Sequence, residues 1–193
     1  ARAQINLNYT LTGDIGNYPA LNVNGDASLT SGGGDPANSG WLRLTTDQTT
    51  KVGYAFVEQA FPSVQGVSLE FEYKIWGIGT NNNGGLADGL SVFLYDGGQE
   101  QADFEHGGYL GYITKKSQGL KSGYLGIGLD EFGAFSNLLE GAKKRVPHSI
   151  ALRGGAAEGY PYIAGTGTRL TKSNSAASVD PALAGTAVAF KNS

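Results

Sequence analysis

The sequence predicts an all-β protein, an antiparallel sandwich or barrel, on three observations. Glycine fills 31 of 193 positions, about twice the usual ~7%, with no collagen-like period. Short runs rich in Thr, Val, Ile, Tyr and Phe recur between clusters of Gly, Asn, Asp and Pro, which is the spacing of strands joined by tight turns. No stretch keeps a 3.6-residue apolar period with capping residues, so no helices are expected between the strands to make the sheet parallel.

The elements follow in chain order. Ile5, Leu7, Tyr9 and Leu11 alternate with polar residues, the period of a half-buried strand. Residues 41–46 and 54–61 are further strand candidates. The clearest alternation lies in residues 67–76, where Val67, Leu69, Phe71, Tyr73 and Ile75 are apolar or aromatic and Glu70, Glu72 and Lys74 are charged. That pattern predicts a long antiparallel strand, with Trp76 packed in the core or at an edge. Residues 80–85, Thr-Asn-Asn-Asn-Gly-Gly, predict a polar turn. Residues 90–95 are almost continuously apolar, as befits a central strand covered on both faces. Residues 109–114, 124–130 and 149–153 complete the series. From 164 to 193 the chain is expected to be a weakly structured or incomplete end, with only a faint strand at 186–190. No internal repeat is found, and a single domain over 1–193 is expected.

Composition narrows the function. Formal net charge is -3 with 14 basic residues, and the one basic cluster, Lys143-Lys144-Arg145, carries no interleaved aromatics, so nucleic acid is not expected as a partner. No apolar run is long enough for a membrane-spanning helix, and membrane insertion is not expected. The absence of cysteine removes thiol nucleophiles and zinc-thiolate sites. Ala1-Arg2-Ala3 has the small-x-small form left at a signal-peptide cleavage site, which points to a secreted or cell-surface protein. Asn8-Tyr9-Thr10 is an isolated sequon and carries no argument.

Three segments combine residues suited to carbohydrate. Asp88 precedes Gly89 at the mouth of an apolar strand. An ionised Asp accepts charge-assisted hydrogen bonds from neighbouring hydroxyls of a polyol, and an adjacent Gly lets a ligand approach the backbone. Gly107 and Gly108 offer backbone amides beside Tyr109. Asp130 and Glu131 end a strand and lead into Phe135 and Asn137, an aromatic for the C–H face of a sugar and an amide for its hydroxyls. Calcium takes roughly six to eight hard oxygens, of which Asp130, Glu131, Asn137 and Glu140 offer a share.

Read in order, Ala87-Asp88-Gly89, Gly107-Gly108-Tyr109-Leu110-Gly111, the run from Gly128 to Asn137 and Pro147-His148-Ser149-Ile150-Ala151 resemble the L-type, legume-like lectins. The likeness is to the bacterial branch carried by large multidomain surface adhesins, and it spans roughly residues 54–153. It implies a concanavalin-like jelly roll, with a cis peptide before Asp88 and saccharide bound by Asp88, a glycine amide from Gly107 or Gly108, Asn137 and a stacking Phe135. It also implies calcium held near Asp130, Glu131, Asn137 and Glu140, and glycans or polysaccharide as partners. In legume members two carboxylates alternate across one residue on the metal strand, whereas Asp130 and Glu131 are adjacent. About 40 residues follow Arg153, so the jelly roll is expected to lack C-terminal strands or to have them supplied otherwise. His148 matches the position of a transition-metal ligand in that family.

An enzyme is not expected. Glu70 and Glu72 share one strand face and invite comparison with the two carboxylates of jelly-roll glycoside hydrolases, but their spacing comes with any amphipathic strand. With no Cys, two His and no nucleophile elbow, serine or cysteine hydrolase chemistry is excluded more firmly. The alternatives to a lectin are such a hydrolase or a purely structural, protein-binding adhesin domain.

Overall fold

The computed structural model describes residues 6–62, 66–76, 88–97, 104–113, 119–137 and 145–166. The fold is all-β: among the described residues every pairing between named strands is antiparallel and the helical pieces are short 3-10 turns. Two compact units divide the chain, Ala1–Glu72 and Tyr73–Ser193.

In the first unit β1 (Leu21–Gly25) pairs with β4 (Gly53–Val57), and β2 (Ser28–Leu29) pairs with β3 (Leu42–Arg43). Leu21, Phe56 and Tyr18 form its buried apolar centre. The Tyr18 hydroxyl accepts the Gly13 N–H at 3.0 Å, so the one polar atom on that ring is satisfied where it is buried. Asp26 closes the turn after β1, accepting from Lys51 Nζ at 2.9 Å and from the Val52 N–H at 2.8 Å. The strand expected at 41–46 is reduced to two residues, and β1 and β2 fall where no strand was expected. Residues 67–76 belong to no strand despite their alternation. Leu69 is 54% exposed and Trp76 69% exposed, which corrects the core or edge placement expected for Trp76.

Among the described residues the second unit holds a four-stranded meander in the order β5 (Gly89–Tyr95), β6 (Gly123–Asp130), β7 (Ser149–Arg153), β8 (Tyr162–Gly165). Register places Ser91 beside Gly128 and Ala151, and Phe93 beside Gly126 and Arg153. Since side chains alternate across a strand, these residues share one face with Asp130 and Ser149. On β6 this face is bare at Gly126 and Gly128, and rings from loops fill the space. A Cβ on Gly126 would lie 2.5 Å from Tyr112 Cδ1, and one on Gly128 2.2 Å from Phe135 Cδ1. Tyr112 and Phe135 are both fully buried, with ring centroids 6.3 Å apart, and Tyr160 meets Tyr112 edge-on at 5.5 Å. The Tyr112 hydroxyl donates to the Gly154 carbonyl at 3.0 Å. The opposite face carries Leu90, Val92, Leu94, Leu125, Ile127, Leu129, Ile150 and Leu152 by the same register. A sheet covered by loop rings on one face and apolar on the other is compatible with a layer of an all-β sandwich. Residues 109–113, expected to begin a strand, instead form a succession of turns.

Candidate functional site

The site forms where the start of β5 meets the loop that follows β6. Asp88 immediately precedes β5, and its carbonyl accepts the N–H groups of Glu131 and Phe132, each at 3.1 Å. Two donors from successive residues fix that carbonyl, and so hold the β6 loop to the mouth of β5. The Asp88 side chain is half-buried. Burial raises its pKa above the usual carboxylate value, and the charges of Arg145 and His106 oppose that rise. Among the described residues no hydrogen bond reaches the Asp88 carboxylate. Its acceptor positions are therefore available to a ligand.

Gly108 lies against that carboxylate. A Cβ there would sit 3.6 Å from Asp88 Oδ1, 3.5 Å from Phe132 Cδ1 and only 2.3 Å from the Ala134 Cβ. Any larger residue would push into Ala134, and the absence of a side chain is what leaves Asp88 approachable. Gly107 has φ +111, and nothing among the described residues comes within 4 Å of where its Cβ would point. The turn is seated on β5 by the Ser91 hydroxyl, which donates to the Leu110 carbonyl at 2.7 Å.

The loop after β6 is organised by two buried charges. Asp130, fully buried, accepts the Gly133 N–H and the Ser136 N–H at 2.7 Å each. Burial nevertheless dominates and pushes its pKa up to about 6, those two hydrogen bonds pulling the other way. Gly133 takes φ +92, and a Cβ on it would come within 2.5 Å of the Val146 and Pro147 backbone, so no other residue fits this turn. Arg153 supplies the second charge. It donates to the carbonyls of Phe135 at 2.9 Å, Tyr160 at 3.0 Å and Asn137 at 2.5 Å, and its guanidinium sits 5.4 Å from the Phe135 ring centroid.

The structure places Gly108 against the Asp88 carboxylate, with Gly107 beside it in the chain. Phe135 is a correction: it is 0% exposed, packed on Gly128, and its ring has no surface to offer a sugar. The ring at the rim is Phe132, three positions earlier. Asn137 is buried at the end of the same loop, with its carbonyl taken by Arg153.

Among the described residues the expected calcium ligands do not gather round one point. Both Asp130 oxygens are engaged by backbone N–H groups, and Glu131, 7% exposed, directs Oε2 to His148 Nδ1 at 2.8 Å. Glu140 lies outside the described residues, as does Ala87. Among the described residues no three His, Cys, Asp or Glu gather round one point. Glu70 and Glu72 are both exposed and lie on no strand.

Phe132, Arg145 and His106 are the site residues that sequence reasoning missed. Arg145 stacks on Phe132 with its guanidinium carbon 3.6 Å from the ring centroid. The signal available for them was weak: Phe132 sits inside the motif, and Arg145 ends the only basic cluster. No family model matches this chain, and no curated protein matches it significantly. No described helix is long and apolar enough to cross a membrane.

Proposed function

We propose that this protein is a carbohydrate-binding module that holds saccharide hydroxyls without turning them over. The observation that carries the reading is Asp88, a half-buried carboxylate with no hydrogen bond to its side chain among the described residues, bordered by a glycine whose missing side chain keeps it open. A pyranose offers adjacent hydroxyls that a single carboxylate can accept in pairs, and a rigid charged acceptor gains over water because its position is fixed in advance. Phe132 at the rim supplies an apolar edge for the C–H face of the ring. A concanavalin-like jelly roll and a place in a larger, secreted or cell-surface adhesin belong to the same proposal, supported by the antiparallel sheets and the motif order.

Single sugars are expected to bind on the order of 0.1–1 mM, or ~4–5.5 kcal/mol, and adhesion would come from many copies acting together. Asp88→Ala is expected to abolish saccharide binding while leaving the melting curve within a few degrees of the parent's. The test is a glycan array followed by calorimetric titration of parent and variant with the strongest ligand. A variant that binds as tightly as the parent removes Asp88 from the site, and a parent that binds no glycan removes the function.

A further inference from the structure

We infer that the protein has a calcium site on the connection between β7 and β8, built by Glu158 with the carbonyls of Gly123 and Tyr124 around Gly155. Gly155 and Glu158 bracket a 3-10 turn, Ala156–Glu158, on the way from β7 to β8. Gly155 is buried. Its chain neighbours apart, the three atoms nearest to where its Cβ would stand are all oxygens: Glu158 Oε2 and the Gly123 carbonyl at 3.0 Å each, and the Tyr124 carbonyl at 3.4 Å. One carboxylate and two carbonyls thus converge on a gap that the missing side chain leaves open. Register explains why the carbonyls face it. Leu94 pairs with Leu125 and Tyr95 with Gly123, so Tyr124 is the extra residue of a β-bulge and its carbonyl stands off the β5 ladder. The Gly123 carbonyl has two lone pairs and keeps one for this gap whatever bond it accepts in the sheet. The Glu158 side chain is exposed, and among the described residues no hydrogen bond or ion pair reaches its carboxylate.

Acceptors that meet without a donor repel one another, and a cation turns that repulsion into attraction. A single water donates only two hydrogens and leaves one of the three oxygens unmet. The donor set is hard oxygen throughout, which suits calcium or magnesium and not the metals that favour nitrogen or sulfur. Magnesium demands a near-ideal octahedron at ~2.0–2.1 Å, whereas calcium accepts irregular shells at ~2.3–2.6 Å. Two of these oxygens belong to the main chain of β6 and are held by the sheet, so the exposed Glu158 is the ligand that closes on the ion. Calcium tolerates that arrangement, and water completes its shell of roughly six to eight oxygens. The bound ion ties the start of β6 to the turn between β7 and β8.

The test strips the whole chain with chelator, removes the chelator and titrates with calcium chloride by calorimetry, with magnesium chloride in parallel and a thermal melt at each concentration. Calcium is expected to bind with a Kd on the order of 0.1–1 mM, as suits a site with a single carboxylate. The melting midpoint should rise by a few degrees at about ten times Kd. Glu158→Gln, which removes the charge, should weaken binding about ten-fold or more. Gly155→Ala should do the same by filling the gap, and it should fold, because Gly155 has φ -75 and ψ 168, which alanine also adopts. In chelator both variants should melt within a few degrees of the parent. Calcium binding that survives both substitutions would overturn the assignment and move the ion elsewhere, the loop of Asp130 and Glu131 included. Magnesium binding as tightly as calcium would overturn the choice of ion. No binding up to about 10 mM, ten-fold above the expected range, would overturn the site and leave the gap to water. The saccharide reading is tested separately, since Asp88 lies beside the Asp130 end of β6 and this site at the Gly123 end.

Discussion

Replacing Asp130 with Asn tests how the loop beside the site is held. The carboxylate is fully buried and accepts two backbone N–H groups at 2.7 Å, yet its pKa rises from 3.8 to about 6 because burial outweighs those bonds. An acid whose pKa rises on folding binds its proton more tightly in the folded state. Its contribution to stability is thus complete below the unfolded value and is lost as pH climbs through the folded value. At ~1.4 kcal/mol per pH unit, the loss between about pH 4 and pH 7 comes to about 3 kcal/mol. Asparagine is nearly the same shape and cannot ionise. The fixed cost of seating its amide cancels when one pH is compared with another. Urea unfolding of parent and Asp130→Asn, followed by circular dichroism with chelator present, should give free-energy curves that separate by about 3 kcal/mol over that range. The parent should be the one that falls. Parallel curves would refute the assignment, since they would mean that Asp130 carries the same charge folded and unfolded.

Three further outcomes follow from the packing. Gly108→Ala forces a Cβ to within 2.3 Å of Ala134 and should cost ~1–3 kcal/mol in denaturant melts, with saccharide affinity falling in the same variant. Phe135→Ala should cost ~3–5 kcal/mol by thermal unfolding, as for an aromatic removed from a core; a surface stacking ring would cost far less. Arg153→Met strands the carbonyls of Phe135, Tyr160 and Asn137 at ~1–3 kcal/mol for each buried acceptor, and Arg153→Lys should recover only part of the loss, measured by the same melts.

The β5, β6 and β7 strands were legible because their apolar runs are bounded by glycine and polar turns, and each begins within one residue of where the pattern placed it. Residues 67–76 show the limit of the same signal. Alternation states which side chains would share a face if a partner strand were present, and it cannot supply the partner. The converse holds for β1, whose Leu21-Asn22-Val23-Asn24-Gly25 looks too polar for a strand and is one because β4 pairs with it residue for residue. At the site, Asp88 and the glycine turn could be read because chemistry and spacing agree there. Phe132 and Phe135 could not be told apart. Only the positive φ at Gly133 and the vacancy above Gly128 decide which ring turns inward, and neither is visible in a linear spacing. Arg145 lies thirteen positions beyond Phe132, and a stacking contact between distant loops leaves no local trace.

The bulk beneath this sheet is contributed by loops, with the β6 strand reduced to bare backbone at Gly126 and Gly128 where Tyr112 and Phe135 rest. Strand and loop are thereby interlocked like tongue and groove: an enlarged groove residue has room only if the matching tongue is trimmed. The Phe135 loop also carries Phe132 and the amides that hold Asp88. Recasting it to alter ligand preference is therefore a problem in the interior of the fold as well as at its rim.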